Sequence, residues 1–277
     1  MLPRGKLASA RRHLYLIQRI LQDLGPATPL EALSTPVLSR WRDDLLAGGL
    51  KPATVNRHLD LVKATLHRAA REWGALATPP FVRSVPEKNQ RTRFLSDEEE
   101  ALLLASSPPY LRDLLVFLLD TGARVGEALG LVWGDVDLDR TPNGVAFFLE
   151  TKSDKPRGVP LTRRARATLA ARASHGPPPA DFVFTRPPLA GQRLEWDAVK
   201  TAFRRARERT GLRDVTLHTL RHTYASRLVL RGVSLYQVQK LLGHSSPIMT
   251  QRYALSIRLG AKATRTAQFD TMLSSLP

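Results

Sequence analysis

The sequence predicts a mainly α-helical chain with one small antiparallel β-sheet (α+β), built as two domains. Three observations point there. Apolar residues recur at helical spacing through both halves. Three short strand-like segments, separated by turn residues, fall together between about 135 and 161. A proline-rich, charged stretch near residue 85 interrupts the periodicity.

The elements follow in order. Residues 7–24 read as a helix stopped by Gly25-Pro26, and 35–46 as a second, opened by Ser34-Thr35-Pro36 and ending near Gly48-Gly49. A third helix follows, with Thr54 as its expected N-cap. Val55, Leu59, Val62, Leu66, Ala69 and Trp73 recur at alternating spacings of four and three, which makes one core-facing stripe. Arg57, Arg68 and Arg71 lie opposite, where solvated surface and contact with phosphates fit equally well, and no acidic partner at helical spacing is evident. Pro79-Pro80, Pro86 and the run Glu87-Lys88-Asn89-Gln90-Arg91 read as a linker, so the domain boundary is expected within 79–94. The expected division is 1–85, a linker at 86–94, and 95–277.

Ser96-Asp97-Glu98-Glu99 then opens a new helix with an N-cap and early acids, favourable at the positive helix end. Helical stretches at Leu111–Asp120 and Val125–Leu131 flank Thr121-Gly122-Ala123. Strand-like segments at Asp135–Leu138, Val145–Glu150 and Val159–Leu161 alternate with turns at Pro142-Asn143-Gly144 and Asp154-Lys155-Pro156. Helices return at 162–173, 195–210, 217–231, 234–242 and about 247–256, with a Pro- and Gly-rich loop at 176–193.

Charge narrows the partner. The formal net charge is +17, from 42 Lys and Arg against 25 Asp and Glu. Residues 1–94 carry 16 basic and 7 acidic residues, and 95–277 carry 26 and 18. A polyanion facing both halves accounts for this better than a basic tail does; nucleic acid comes first and an anionic membrane surface second. There is no cysteine, which excludes disulfides, a catalytic thiol and cysteine-ligated zinc. The start has no apolar signal-peptide core, and no apolar run approaches the ~18 residues that span a bilayer, so a cytoplasmic protein without a membrane partner is expected.

Four polar clusters stand where the periodicity does not need them. Gly122-Ala123-Arg124-Val125-Gly126-Glu127 sets an arginine beside a helix start, where backbone N–H groups and a guanidinium can share one phosphate; taken alone, Arg124 and Glu127 read as an i,i+3 ion pair. Thr151–Arg157 reads as a hairpin tip, which by itself is a solubilising turn. His218-Thr219-Leu220-Arg221-His222 puts His218 and Arg221 on one helix face with His222 beside them, a set suited to a phosphate that must also exchange protons. The His218–His222 pair lacks the further ligands of a metal site. Leu241–Pro247 with Tyr253 after it also reads as a helix-turn-helix.

The order Arg124, Lys152, His218-x-x-Arg221, His244, Tyr253 resembles the catalytic set of the tyrosine recombinases, the phage integrase family. So do the phrases TGARVGEALGL, TKSDKPRGVPL, LHTLRHTYAS and LLGHSSPIMTQRYA. The likeness is close over about 95–258 and loose over the first ~90 residues. It implies a helical core-type DNA-binding domain at 1–85 and a catalytic domain at 95–277. It implies site-specific cutting and rejoining of double-stranded DNA through a 3′-phosphotyrosyl link at Tyr253, and four protomers exchanging strands through a Holliday junction. DNA-bending accessory proteins and a nucleoid location are further expectations. The family's extra arm-binding N-terminal domain has no counterpart here, so a compact or truncated member is expected.

A tyrosine with a free pKa near ~10 needs help to ionise, and Arg124 and Arg221 would ease that and hold the non-bridging oxygens. Lys152 matches the acid for the leaving 5′-oxygen. His218 would assist proton transfer, His244 would bond a phosphate oxygen, Glu127 would orient Arg124 or a neighbour, and Lys155 would touch backbone phosphate. The chemistry calls for no metal and no other cofactor, because the chain supplies the cations and the phosphotyrosine conserves the bond. Tyr15, Tyr110, Tyr224 and Tyr236 read as helix-face packing residues. Two rivals stay open: a type IB topoisomerase with a similar set, and a non-catalytic helix-turn-helix regulator using 234–256.

Overall fold

A computed structural model describes residues 4–87, 93–140, 142–149, 156–173, 176–186 and 192–253. The chain forms two compact units, Met1–Gln90 and Arg91–Pro277.

The first unit holds α1 (Arg4–Leu24), a single 3₁₀ turn at Leu30–Ala32, α2 (Thr35–Ala47) and α3 (Pro52–Arg71). Helix α3 starts earlier than its apolar stripe suggests. Lys51 stands at the N-cap and Pro52 in the first turn, where its missing N–H costs nothing, so Thr54 lies inside the helix. Val55, Leu59, Val62, Leu66 and Ala69 are buried as expected, and Leu38, Trp41 and Leu45 of α2 pack against this stripe. Trp73 departs from it. The helix ends at Arg71, so Trp73 lies beyond the periodic face; it is exposed, with the Arg68 guanidinium over its ring. Residues 79–87 run irregularly along this unit. Val82 is buried in its core, and Asn56 donates to the Val85 carbonyl at 2.9 Å while accepting from the Val85 N–H at 2.8 Å.

The second unit is organised around α5 (Pro109–Thr121), which is buried from Leu114 to Thr121. Around it pack α4 (Asp97–Ala105), α6 (Val125–Gly130), α7 (Arg163–Arg172), α8 (Trp196–Arg209) and α9 (Leu217–Leu230). Ser96 caps α4 in a capping box with Glu99, as the sequence suggests. The strands β1 (Val136–Asp137), β2 (Val145–Phe148) and β3 (Arg157–Pro160) form an antiparallel sheet in chain order, with Ala146 opposite Val159 and Phe148 opposite Arg157. The first strand is shorter than expected because a 3₁₀ turn takes up Trp133–Asp135. Helix α10 (Leu235–Leu242) packs on α9 and β3, and residues 248–253 are helical.

Tyr110 and Tyr224 pack as expected, but Tyr15 and Tyr236 do not: they are 61% and 66% exposed. Tyr236 instead lies under the ammonium of Lys240, one turn along α10.

Candidate active site

Three helix ends converge in the second unit. Helix α5 stops at Gly122, whose left-handed backbone (φ 62°) turns the chain so that Arg124 starts α6. Helix α10 stops at Gly243, also left-handed (φ 65°). The last carbonyls of a helix have no partner within it and carry its negative dipole end, so they attract cations. Arg221 of α9 uses both ends. Its Nη1 donates to the Gly122 carbonyl at 2.7 Å and its Nη2 to the Leu242 carbonyl at 2.6 Å. It is 2% exposed. Burial, followed by the charge of Arg124, pushes it down to about 10, so it stays a cation at neutral pH.

Glu127 is the second organiser. Its carboxylate accepts the Arg124 backbone N–H at 2.8 Å and Arg124 Nη1 at 2.7 Å. It also accepts Arg157 Nη1 and Nη2 at 3.1 and 2.7 Å. The expected ion pair is therefore present, and Glu127 holds two arginines rather than one. Burial raises its pKa, but Arg157 and Arg124 outweigh that and leave it below the usual carboxylate range. In the sequence Arg157 reads only as the end of a hairpin tip. Its signal was strand alternation, which sets it on the same face as buried Val159. From β3 its Nε reaches the Leu241 carbonyl at 3.0 Å, and its guanidinium covers the Phe148 ring.

The histidines and the tyrosine complete the cluster. Thr216 caps α9 and starts the turn that carries His218, Arg221 and His222. The His218 and His222 rings meet edge to face at 4.5 Å. Tyr253 is 1% exposed, and its hydroxyl lies 2.9 Å from His222 Nδ1. His244 lies near-parallel to the Tyr253 ring and bonds Thr250 Oγ1 through Nδ1 at 2.8 Å. Burial, aided by neighbouring cations, lowers His218, brings His222 to about 4 and His244 to about 3, so all three are neutral at pH 7. Burial also raises the Tyr253 pKa and outweighs the opposite pull of Arg221 and Arg252. Arg221 thus eases phenolate formation, as expected, but does not offset the burial. In this structure desolvation wins, and the tyrosine keeps its proton.

The fold thus gathers Arg124, Glu127, His218, Arg221, His244 and Tyr253, and adds Arg157, His222 and Thr250. Thr250 could have been found from its place one helical turn before Tyr253. Lys152 and Lys155 lie outside the described residues. Among the described residues, no group of three or more His, Cys, Asp or Glu is placed to hold a metal ion. On α3 of the first unit, Arg57, Arg68 and Arg71 are exposed, but Arg68 pairs with Glu72 at 2.9 Å. The stripe therefore does have an acidic partner at helical spacing: Glu72 is the C-cap residue, one turn beyond Arg68.

Residues 89–257 match the phage integrase family. The chain is 33% identical over 215 residues to the integrase of Salmonella phage P22, covering 73% of this chain and 54% of that protein. It is 32% identical over 257 residues to the tyrosine recombinase XerC of Corynebacterium glutamicum, covering 88% of this chain and 79% of that one. Among solved structures it resembles the Tn1549 transposon integrase in complex with transposon right end DNA. The TM-score is 0.77 at 20% identity, over 96% of this chain and 95% of the other. A lambda integrase tetramer bound to a Holliday junction gives a TM-score of 0.71 at 21% identity, over 91% of this chain and 72% of the other. These likenesses establish a shared fold. The chain belongs to the phage integrase family and is a tyrosine recombinase.

Proposed function

We propose that this chain cuts and rejoins double-stranded DNA at specific sites, with Tyr253 attacking the scissile phosphate to form a 3′-phosphotyrosyl link. The observation that carries this reading is the placing of the buried Tyr253 hydroxyl beside a histidine of α9, the helix whose buried Arg221 is held by two helix ends. Two of the five guanidinium N–H donors of Arg221 serve those carbonyls, so others remain for the non-bridging oxygens of a phosphate. Arg124, oriented by Glu127, takes a second position on the same anion. Both cations gain most in the transition state, where the phosphorane carries its extra charge in a site shielded from water.

The second unit is read as the catalytic domain, with Lys152 giving a proton to the leaving 5′-oxygen, His218 assisting proton transfer and His244 bonding a phosphate oxygen. The first is read as the core-type DNA-binding domain, with Arg57, Arg71 and, more weakly, Arg68 against backbone phosphates. Lys155 would touch phosphate beside the hairpin. Four protomers joined on two DNA sites, exchanging strands through a Holliday junction, fit the same chemistry, because each 5′-hydroxyl released on one duplex can attack a phosphotyrosine on another. A cytoplasmic, nucleoid-bound chain, with DNA-bending proteins as partners, follows from that substrate. Energy is conserved in the phosphotyrosine, so no metal or nucleotide is required.

The test selects a target from a random duplex pool and offers it as a nicked suicide substrate. The wild-type chain should give a covalent adduct on a denaturing gel, with EDTA present. Tyr253→Phe should bind the duplex and give none. An adduct that persists in the variant assigns the attack to another tyrosine.

A further inference from the structure

Attack by Tyr253 requires its hydroxyl to lose a proton, and burial makes that harder rather than easier. Water is poorly placed to take the proton, since the residue is 1% exposed. Among the described residues, the group bonded to the hydroxyl is His222, through Nδ1 at 2.9 Å. The two rings are tilted at 55° with centroids 5.5 Å apart.

An imidazole nitrogen at this distance either donates to the oxygen or accepts from it. Accepting requires a neutral ring. His222 faces His218 and Arg221 on its own helix, and Arg252 and Tyr253 on the helical turn 248–253. Burial comes first and these neighbours second in keeping the ring neutral down to about 4. A neutral ring with its hydrogen on Nε2 presents the Nδ1 lone pair to the hydroxyl. His218, expected to assist proton transfer, meets the ring of His222 edge-on.

We propose that His222 is the base that takes the Tyr253 proton during strand cleavage and returns it on resealing. This rests on the strand-cleavage reading above. In the forward step the Tyr253 oxygen–phosphorus bond forms and the phosphorus–O5′ bond breaks. The phenolic proton moves to His222 Nδ1, and the leaving O5′ takes a proton from the acid, which that reading places at Lys152. On resealing, a 5′-hydroxyl attacks, its proton goes to the same acid, and His222 returns its proton to the departing tyrosine. The imidazolium formed in between stands among cations. The charge gained by the phosphate in the transition state offsets that cost at the moment the proton moves.

Single-turnover cleavage of the selected suicide duplex by the full chain tests this. The wild-type rate should fall on the acid side of its pH profile. His222→Phe should bind DNA, cut ~10²–10⁴-fold more slowly, the range of a lost general base, and lack that acid limb. His222→Asn, which keeps a polar group but has no basic nitrogen to accept a proton, should be as slow, and it decides the matter if the phenylalanine variant does not fold. Added imidazole should speed His222→Ala in proportion to its free-base concentration. A 5′-bridging phosphorothiolate, whose leaving group needs no acid, should leave His222→Ala slow while restoring Lys152→Ala. Cleavage at the wild-type rate by His222→Phe or His222→Asn overturns the assignment and makes the contact a resting-state restraint. Phosphorothiolate rescue of His222→Ala overturns it in favour of an acid. A wild-type chain that forms no adduct at all overturns the strand-cleavage reading on which it rests.

Discussion

Glu127 has a 6% exposed side chain, and the carboxylate balances Arg157, itself 7% exposed. Removing one partner of a buried pair leaves the other charge uncompensated, which costs about 3–5 kcal/mol. Glu127→Gln should therefore lower the urea midpoint of the second unit clearly and slow cleavage as Arg124 loses its anchor. The pH dependence carries a sign. The folded-state pKa of Glu127 lies below its ordinary 4.5, so the folded form binds its proton less readily than the unfolded form. Its stabilising contribution is present above that value and is lost as pH falls through the lowered one. Urea midpoints measured from pH 7 to pH 3 should fall less steeply in Glu127→Gln than in the wild type. Parallel curves would show that this carboxylate does not drive the acid loss. The His218, Arg221 and His222 set was legible in the sequence because helical spacing alone puts positions three and four apart side by side. The partners of that set were not. His222 meets Tyr253 across 31 positions and Arg157 meets Glu127 across 30, and only packing brings such residues together.

Helix ends, more than helix faces, build the site. Gly122 ends α5 in a left-handed turn, and a Cβ there would stand 2.3 Å from Tyr224 Cδ1 and 2.9 Å from Leu242 Cδ2. Gly122→Ala should cost several kcal/mol, since strain at positive φ adds to a clash in a packed interior, and it should displace the carbonyl that holds Arg221. Thermal unfolding and adduct formation together check this; a variant with wild-type melting and wild-type cleavage would show that the turn relaxes freely. Helix α9 is fixed from its other side. Arg227 bridges Glu100 and Asp97 of α4, and Glu100 also meets Arg164 of α7, which pairs with Asp120 of α5. Leu95 donates its N–H to Thr223 of the same helix at 2.9 Å. Helices α4, α7 and α9 have local start signals in the sequence, since Ser96, Thr162 and Thr216 cap them with their side chains. Sequence patterning erred where a start depended on proline rather than a polar cap, at Pro52, and where a stripe ran past the end of its helix, at Trp73.

At the scale of the whole chain, charge is the property that reaches furthest. The net charges of +9 on residues 1–94 and +8 on 95–277 predict that both parts neutralise phosphates and release counterions on binding. Affinity for the selected duplex should fall steeply with salt. Residues 95–277 alone should bind more weakly, with a shallower slope of log K against log salt; equal slopes would mean that the first ~90 residues do not touch DNA. Composition, periodicity and the ordered phrases around Arg124, Arg221, His244 and Tyr253 were enough to determine fold class, family and the chemistry to look for, because all of these are written in residue types and short spacings. Tertiary structure alone decided that Tyr253 is buried and still protonated, that its hydroxyl meets His222, and that two helix ends grip Arg221. Those facts depend on desolvation, on backbone carbonyls and on which distant side chains share one interior, and none of these has a local signature in the sequence.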